Sequence, residues 1–322
     1  MMQFYQKRDF GTFISDTFAF FKEHGKNYFK NYLLINGILL ILMVVIFVLG
    51  YREFFAQMMG SNTAGQNYYF EAYFQENQAM LILVSSIVFF LFLAVTMVSY
   101  SYPVLYLKRL SETGNKDIKA DDILSDLKSN VGRFLLLFLG MLFIVTPLAM
   151  IVFGLSVVLM FILIGFFLII IMGPALMNVV NFLMFDYLHT KKGFFESLSY
   201  SIRAQFSYRN GREKSPFWKY WGSTIVMYFI IQTVSSIFTM IPMMFIFGGM
   251  MTVPQTGEMQ QNPFEGPMGI FIFLLYGVSL LFSFLMINVI FVMSGLQYYD
   301  SRTDLHRNLD LSEIDTIGTH EI

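Results

Sequence analysis

The chain has 322 residues, of which 56% are hydrophobic and 13% are charged, and its mean hydropathy is +0.59. Soluble globular proteins carry about 25% charged residues, so this composition predicts a protein embedded in a membrane. The absence of cysteine excludes disulfides, thiolate metal sites and thiol nucleophiles, and the net charge of -1 gives no indication of a nucleic-acid partner.

The chain begins with a polar, amphipathic segment, residues 1–31, which we expect to lie in the cytoplasm. The first apolar run starts only near Tyr32, and no small-residue cleavage site follows it. A cleaved signal peptide would need an apolar run close to the amino terminus and a small-residue cleavage site directly after it. We therefore expect the first span to be retained.

Uncharged apolar runs predict an all-α integral membrane domain with six transmembrane helices. A single helix over residues 134–185 would be about 78 Å long, far more than the roughly 30 Å of hydrocarbon in a bilayer. This run must fold back, and Gly154–Ser156 is the predicted hairpin. The spans are predicted at residues 32–50, 79–107, 134–153, 157–187, 222–248 and 268–299, with a cytoplasmic polar tail at 300–322.

Basic residues fall almost entirely in alternate polar segments. Twenty of the 21 Lys and Arg lie before the first predicted span, after the second, after the fourth or after the sixth, and only Arg52 lies elsewhere. Short cytoplasmic segments carry an excess of Lys and Arg in membrane proteins. The distribution predicts that both termini are cytoplasmic.

An amphipathic stretch precedes each odd-numbered span. The domain is therefore predicted as three repeats of an interfacial helix plus a helical hairpin. The alternative is that basic segments make any six-span chain look repetitive. The apolar positions are Phe10, Ile14, Phe18 and Phe21 in the first stretch, Ala120, Leu124, Leu127 and Val131 in the second, and Phe194, Leu198, Ile202 and Phe206 in the third.

Two parts of the chain carry a recurring pattern. One runs from Asp186 through Lys192–Leu198 and Ser201 to Phe217–Gly222, and the other comprises Arg8–Gly11 and Ile14–Phe18. The pattern resembles the membrane domain of the glycerophosphoryl diester phosphodiesterase type and related uncharacterised six-span bacterial proteins.

The resemblance implies a bacterial cytoplasmic (inner) membrane domain, fused in some relatives to a catalytic phosphodiesterase domain. The longest predicted cytoplasmic loop here, residues 188–221, is too short for a catalytic barrel of about 200 residues or more. We therefore expect no enzymatic activity.

Polar residues within or at the ends of the apolar runs are the candidate ligand-binding residues. Asn178 and Asn181 lie three residues apart, on one face of the fourth span. Such amides either hydrogen-bond to neighbouring helices or line a path for a polar solute. The complete candidate set is Asn178, Asn181, Asp186, Gln232 and Asn288.

The basic segment after the fourth span indicates contact with the anionic leaflet of a membrane. Its candidate lipid-surface residues are Lys191, Lys192, Arg203 and Trp218. These patterns predict a non-catalytic membrane protein whose partners are membrane lipids or other membrane proteins. The alternative is a permease or channel for a small uncharged or amphipathic solute.

Metal and cofactor chemistry has little support in the sequence. The four histidines lie in separate segments and lack the spacing of a metal site, so no metal or cofactor is predicted. Thioethers can bind Cu(I), which leaves copper handling as a third interpretation. The relevant methionines are Met240, Met243, Met244, Met250, Met251, Met259 and Met268.

Overall fold

The computed structural model describes residues 3–63, 67–207, 214–251 and 266–302. Within these ranges every regular element is helical, as predicted. The α-helices are α1 (Phe10–Thr63), α2 (Asn67–Thr113), α3 (Ala120–Ser129), α4 (Val131–Gly140), α5 (Thr146–Val158), α6 (Ile164–His189), α7 (Phe194–Phe206), α8 (Phe217–Met251) and α9 (Gly266–Ser301).

Six stretches of helix are long and apolar enough to cross a membrane, which confirms the predicted all-α six-span fold. The third stretch joins α4 and α5 through a π-helical turn, Met141–Val145, just before Pro147. π-Turns are a common way to absorb a local disturbance in a helix. The six stretches are Phe10–Gly50, Glu71–Thr113, Val131–Ile162, Ile164–His189, Phe217–Gly248 and Pro267–Ser301.

The hairpin between the third and fourth spans lies later than predicted. Gly154–Ser156 remains within α5, and the chain turns through a 3-10 segment, Leu159–Ile162, to Leu163. Leu163 has a φ of 65°, in the left-handed region. Gly165 then starts the return, where an added Cβ would lie 1.8 Å from the carbonyl oxygen of Ser156. The turn is placed by this close packing rather than by the earlier glycine.

The helices of the first two spans extend beyond the predicted spans. The sequence predicts spans that end at residue 50 and resume at residue 79, but α1 continues to Thr63 and α2 begins at Asn67. The reason is local, because residues 51–78 contain no proline to stop a helix. Similarly, the predicted interfacial stretch beginning at Phe10 runs without a break into the first span, whereas α3 and α7 are separate helices.

The residues group into two compact units. The first comprises residues 1–32, 100–229 and 288–322, and every Lys and Arg except Arg52 falls within those ranges. Its core contains a cluster of buried tyrosines in which the ring of Tyr28 lies 5.0 Å from that of Tyr102 and 4.9 Å from that of Tyr106. The Tyr102 hydroxyl donates to the carbonyl oxygen of Tyr28 at 2.6 Å. These edge-on contacts hold α1 against α2.

The second unit comprises residues 33–99 and 230–287. Its core joins α1 and α9, where an added Cβ on Gly277 would lie 2.4 Å from Val44. Between α1 and α2, Asn36 donates to the hydroxyl of Ser99 at 2.6 Å. The buried residues of this core are Val44, Val48, Ile246, Ile272 and Phe273.

Candidate functional site

Two buried carboxylates organise the first unit. Asp186 lies near the carboxyl end of α6 and is fully buried. Its oxygens accept hydrogen bonds from Lys192 Nζ at 3.2 and 3.3 Å and from Arg302 Nη1 at 3.1 Å. The Tyr298 hydroxyl lies 3.4 Å away. These partners offset the cost of burying the carboxylate, and the same contacts tie α6 to α9 and to the start of α7.

Asp300, near the end of α9, is the second fully buried carboxylate. It accepts from the backbone N–H of Arg8 at 2.6 Å, from Lys219 Nζ at 2.7 Å and from the Tyr220 hydroxyl. Lys219 Nζ also donates to the carbonyl oxygen of Arg8 at 2.8 Å. One carboxylate thus joins the amino-terminal segment, α8 and α9.

The Arg8 side chain extends this second network. Its Nε lies 2.9 Å from Asp16 Oδ2, and its Nη1 donates to the carbonyl oxygen of Phe4 at 2.7 Å. Burial lowers the pKa of the Arg8 guanidinium, and the hydrogen bond to Asp16 opposes that change. These contacts fix the residues before α1 against the helix.

The predicted asparagines lie deeper, and each bonds to another helix. Thr224 Oγ1 donates to Asn178 Oδ1 at 2.8 Å, and Asn181 Nδ2 donates to Ser294 Oγ at 2.8 Å. Asn288 Oδ1 accepts from the Tyr28 hydroxyl, also at 2.8 Å. The three amides therefore link α6 to α8, α6 to α9 and α9 to α1.

Gln232 differs from the asparagines. It lies on α8 in the second unit, and its side chain is exposed. The structure therefore gathers Asn178, Asn181 and Asn288 in one unit but not Gln232.

The methionines considered for copper are described only in part. Exposed side chains belong to Met240, Met243, Met244 and Met268, whereas Met259 and the side chains of Met250 and Met251 lie outside the described part of the chain.

The helix α7 is amphipathic in the opposite sense from a helix of a soluble protein. The residues that it buries are small or polar: Ser197, Ser201, Ala204 and Gln205. Its exposed side carries Phe195, Ile202 and Phe206, whose exposed fractions are 69%, 45% and 55%. We call these three residues, together with Phe217 and Trp218, the α7 apolar surface.

The α7 apolar surface continues onto the start of α8. The rings of Phe206 and Phe217 stack at a centroid distance of 5.3 Å and an angle of 7°. Phe217 also contacts Trp218, which is 64% exposed. Phe194 anchors the other end of α7, because its ring lies where a Cβ on Gly140 would be. Large contiguous apolar patches on a protein surface mark sites of interaction with partners or membranes.

The predicted lipid-surface residues fall into two groups. Lys191 and Arg203 have exposed side chains, as does Trp218. Lys192 is only partly exposed, because its ammonium group pairs with Asp186 and lies 4.8 Å from the ring of Tyr200. Lys192 therefore belongs to the buried network rather than to the surface.

No family model, curated protein or solved structure matches this chain. Residues of the recurring pattern nevertheless converge in space. Lys192 contacts Asp186, while Lys219 and the backbone of Arg8 contact Asp300. The pattern thus coincides with residues that contact the two buried carboxylates.

Asp300 was not predicted as a site residue. A signal for it exists in the sequence, because it follows Tyr299 at the end of an apolar run much as Asp186 precedes Tyr187 at the end of another. Both carboxylates end a span, where a charge can be buried at lower cost than at the bilayer centre. The partners Arg8 and Lys219 lie 292 and 81 residues away, too far for a spacing rule to find them.

Proposed function

We propose that this chain is a non-catalytic protein of a bacterial cytoplasmic membrane whose α7 apolar surface lies in the lipid headgroup region of the cytoplasmic leaflet. The observation that carries this proposal is the arrangement of α7, which buries only small or polar residues and exposes the large apolar side chains of Phe195, Ile202 and Phe206. Such a surface is stable only against lipid or another apolar partner.

The charges near α7 favour lipid as that partner. Lys191 and Arg203 are exposed next to the α7 apolar surface, and each basic residue near an anionic leaflet contributes about 1 kcal/mol of attraction. Trp218 is an aromatic side chain of the kind that concentrates at membrane interfaces. Apolar insertion and charge attraction therefore act in the same direction.

Two sequence arguments support the cytoplasmic position. The concentration of Lys and Arg, all but Arg52, in one set of polar segments supports a cytoplasmic position for α7 and both termini. The resemblance to the membrane domain of the glycerophosphoryl diester phosphodiesterase type supports a bacterial inner membrane. A reporter fused at Ile322 that is active only outside the cytoplasm would contradict this orientation.

The lack of native cysteine makes the α7 proposal directly testable. A spin label at Ile202→Cys in the reconstituted full-length protein should be more accessible to oxygen than to a water-soluble nickel complex. The matched control is Glu196→Cys, an exposed position on the same helix, where the preference should reverse. Equal accessibility of both labels to the nickel complex would contradict insertion of α7 into lipid.

One observation favours the alternative of a permease or channel. Asn178 Nδ2 and Gln297 Oε1 are buried without a hydrogen-bond partner among the described residues, although both amides bond to Thr224 through their other atoms. This unpaired donor and acceptor match a small polar solute such as glycerol. Glycerol-driven swelling of proteoliposomes that disappears in Asn178→Leu but persists in Asn181→Leu would support transport, and no swelling above that of empty liposomes would exclude it.

A further inference from the structure

A polar cavity of about 350 Å³ lies where the ends of α2, α4 and α6 meet α3. Leu105, Phe134 and Leu188, three buried apolar residues, line part of it. Its charged lining comes from Lys108, Arg109, Glu112, Asp126 and Arg133. The volume is in the range of cavities that hold small ligands in proteins.

The charges of the cavity are unevenly matched. Arg109 donates to both oxygens of Asp126, so the charges of these two side chains cancel each other. Across the described part of the chain, neither Lys108 nor Arg133 has a carboxylate partner. Lys108 Nζ makes one hydrogen bond, a 3.4 Å contact with the carbonyl oxygen of Leu188.

Arg133 is held in place without being neutralised. Its Nη2 donates to the carbonyl oxygens of Tyr187, Thr190 and Lys192 at 2.6, 3.2 and 3.1 Å, and its guanidinium lies 4.3 Å from the Tyr187 ring centroid. These contacts involve carbonyl groups and the face of an aromatic ring, so none of them supplies a negative charge to balance the guanidinium of Arg133. The guanidinium is therefore preorganised to receive an anion.

We propose that this cavity binds the phosphodiester of an anionic phospholipid headgroup, with Lys108 and Arg133 as its cationic contacts. Three basic and two acidic side chains give the lining a net charge of +1, which a single phosphodiester balances. A zwitterionic headgroup would bring an additional positive ammonium group into this cavity, whose lining is already positively charged. Basic pockets between transmembrane helices are suited to such headgroups.

The position of the cavity favours a lipid over a soluble phosphate. The cavity lies at the ends of three spanning helices, and the adjoining turns of α4 carry Val131, Leu135 and Leu136 with exposed side chains. Those apolar side chains provide a surface for acyl chains next to the charged cavity. This inference rests on the proposed membrane location but not on the insertion of α7, because no residue of α7 lines the cavity.

Binding can be measured on the full-length protein in nanodiscs or detergent by native mass spectrometry with added phosphatidylglycerol or phosphatidylcholine. We expect a clear preference for phosphatidylglycerol, and we expect Lys108→Gln to weaken its binding at least about tenfold through loss of a charge-assisted contact. The matched control is Lys128→Gln, which removes an exposed lysine of α3 that does not line the cavity. Its phosphatidylglycerol affinity should stay unchanged.

Arg133→Gln also removes hydrogen bonds to three carbonyl groups, so its lipid affinity must be read together with its thermal unfolding midpoint. Lys108→Gln removes the charge and only one long hydrogen bond, to the carbonyl oxygen of Leu188. Glu112→Gln should strengthen phosphatidylglycerol binding, since it removes a negative charge from the lining. Equal binding of phosphatidylcholine, or an unchanged affinity in Lys108→Gln, would overturn the proposal. Displacement of the lipid by an equal concentration of glycerol phosphate would also overturn it and would identify a soluble phosphate as the ligand. The spin-label experiment on α7 reports separately on the proposed function.

Discussion

The indole Nε1 of Trp221 donates a shared hydrogen bond to the carbonyl oxygens of Ile170 and Ile171, at 3.2 and 3.1 Å. Ile170 is four residues before Pro174, which has no N–H to offer this carbonyl. A side chain of α8 thus replaces the missing backbone donor of α6. The contact lets proline remain inside a spanning helix and fixes the two helices together.

Replacing Trp221 with Phe should destabilise the protein by about 1–3 kcal/mol, because it leaves a partly buried carbonyl without its donor. The thermal unfolding midpoint in detergent would measure the loss. Trp218→Phe is the matched control, since Trp218 is 64% exposed. A midpoint for Trp221→Phe equal to that of Trp218→Phe would show that the indole hydrogen bond does not stabilise the fold.

Gly165→Ala should prevent formation of the hairpin between α5 and α6. The new Cβ would lie 1.8 Å from the carbonyl oxygen of Ser156, a distance that forces the two backbones apart. The yield of monodisperse protein in gel filtration measures the effect. Gly154→Ala is the control, because open space surrounds Gly154 and alanine favours a helix by about 1 kcal/mol. If Gly154→Ala were the more damaging change, the turn would lie at the position first predicted from the sequence.

Asp300→Asn should lower the stability by about 3 kcal/mol, because it removes the carboxylate that pairs with Lys219 in a buried site. The amide NH2 group is itself a hydrogen-bond donor, and it would face two groups that already donate to this position, the backbone N–H of Arg8 and the Tyr220 hydroxyl. Thermal unfolding in detergent measures the change. Asp121→Asn, on an exposed carboxylate of α3, should change the midpoint little. An equal effect of both substitutions would contradict a central role for Asp300.

Acid should remove the contribution of Asp9 to the stability of the protein. Asp9 caps α1 by accepting hydrogen bonds from the Thr12 hydroxyl and the Thr12 backbone N–H, both at 2.7 Å. The hydroxyl bond is the main cause that lowers the pKa of Asp9 below its ordinary 3.8. The stabilisation is therefore present above the ordinary pKa and is lost as the pH falls through the lowered one.

Asp9→Ala should accordingly have a lower thermal midpoint than the unchanged protein at about pH 7, and the difference should narrow at about pH 3. Asp9→Ser retains an uncharged cap and serves as the control. A difference between Asp9→Ala and the unchanged protein that is constant over this pH range would show that the ionised carboxylate contributes nothing to the cap.

The six-span fold could be predicted because it depends on composition and on the length of apolar runs. The hairpin could not be placed, since Gly154 and Gly165 look alike in the sequence and only packing against Ser156 distinguishes them. The continuation of α1 to Thr63 was missed because polarity suggested a loop where no residue stops the helix. Element type followed from local pattern, whereas the hairpin boundary depended on how α5 and α6 pack together.

The candidate site was predicted in part. Asn178, Asn181, Asp186 and Asn288 are buried polar residues in one unit, and their polar character within apolar sequence was the signal. Their partners could not be found, because hydrogen bonds such as Tyr28 to Asn288 join residues 260 positions apart. The pairing of Lys192 with Asp186 was missed for the same reason, since the charge of Lys192 looks like a surface charge until Asp186 is placed beside it.

The position of Asp300 after its partners Arg8 and Lys219 in the chain has a consequence for biosynthesis. Lys219 and Arg8 are translated before the carboxylate that joins them, and Arg302, a partner of Asp186, is made later still. During synthesis the earlier helices therefore carry ionic groups that lack their final partners. Ribosome-bound nascent chains that end before residue 300 should be more sensitive to protease than chains extended past Arg302. The last turn of α9 thus supplies the contacts that complete both ionic networks of the first unit.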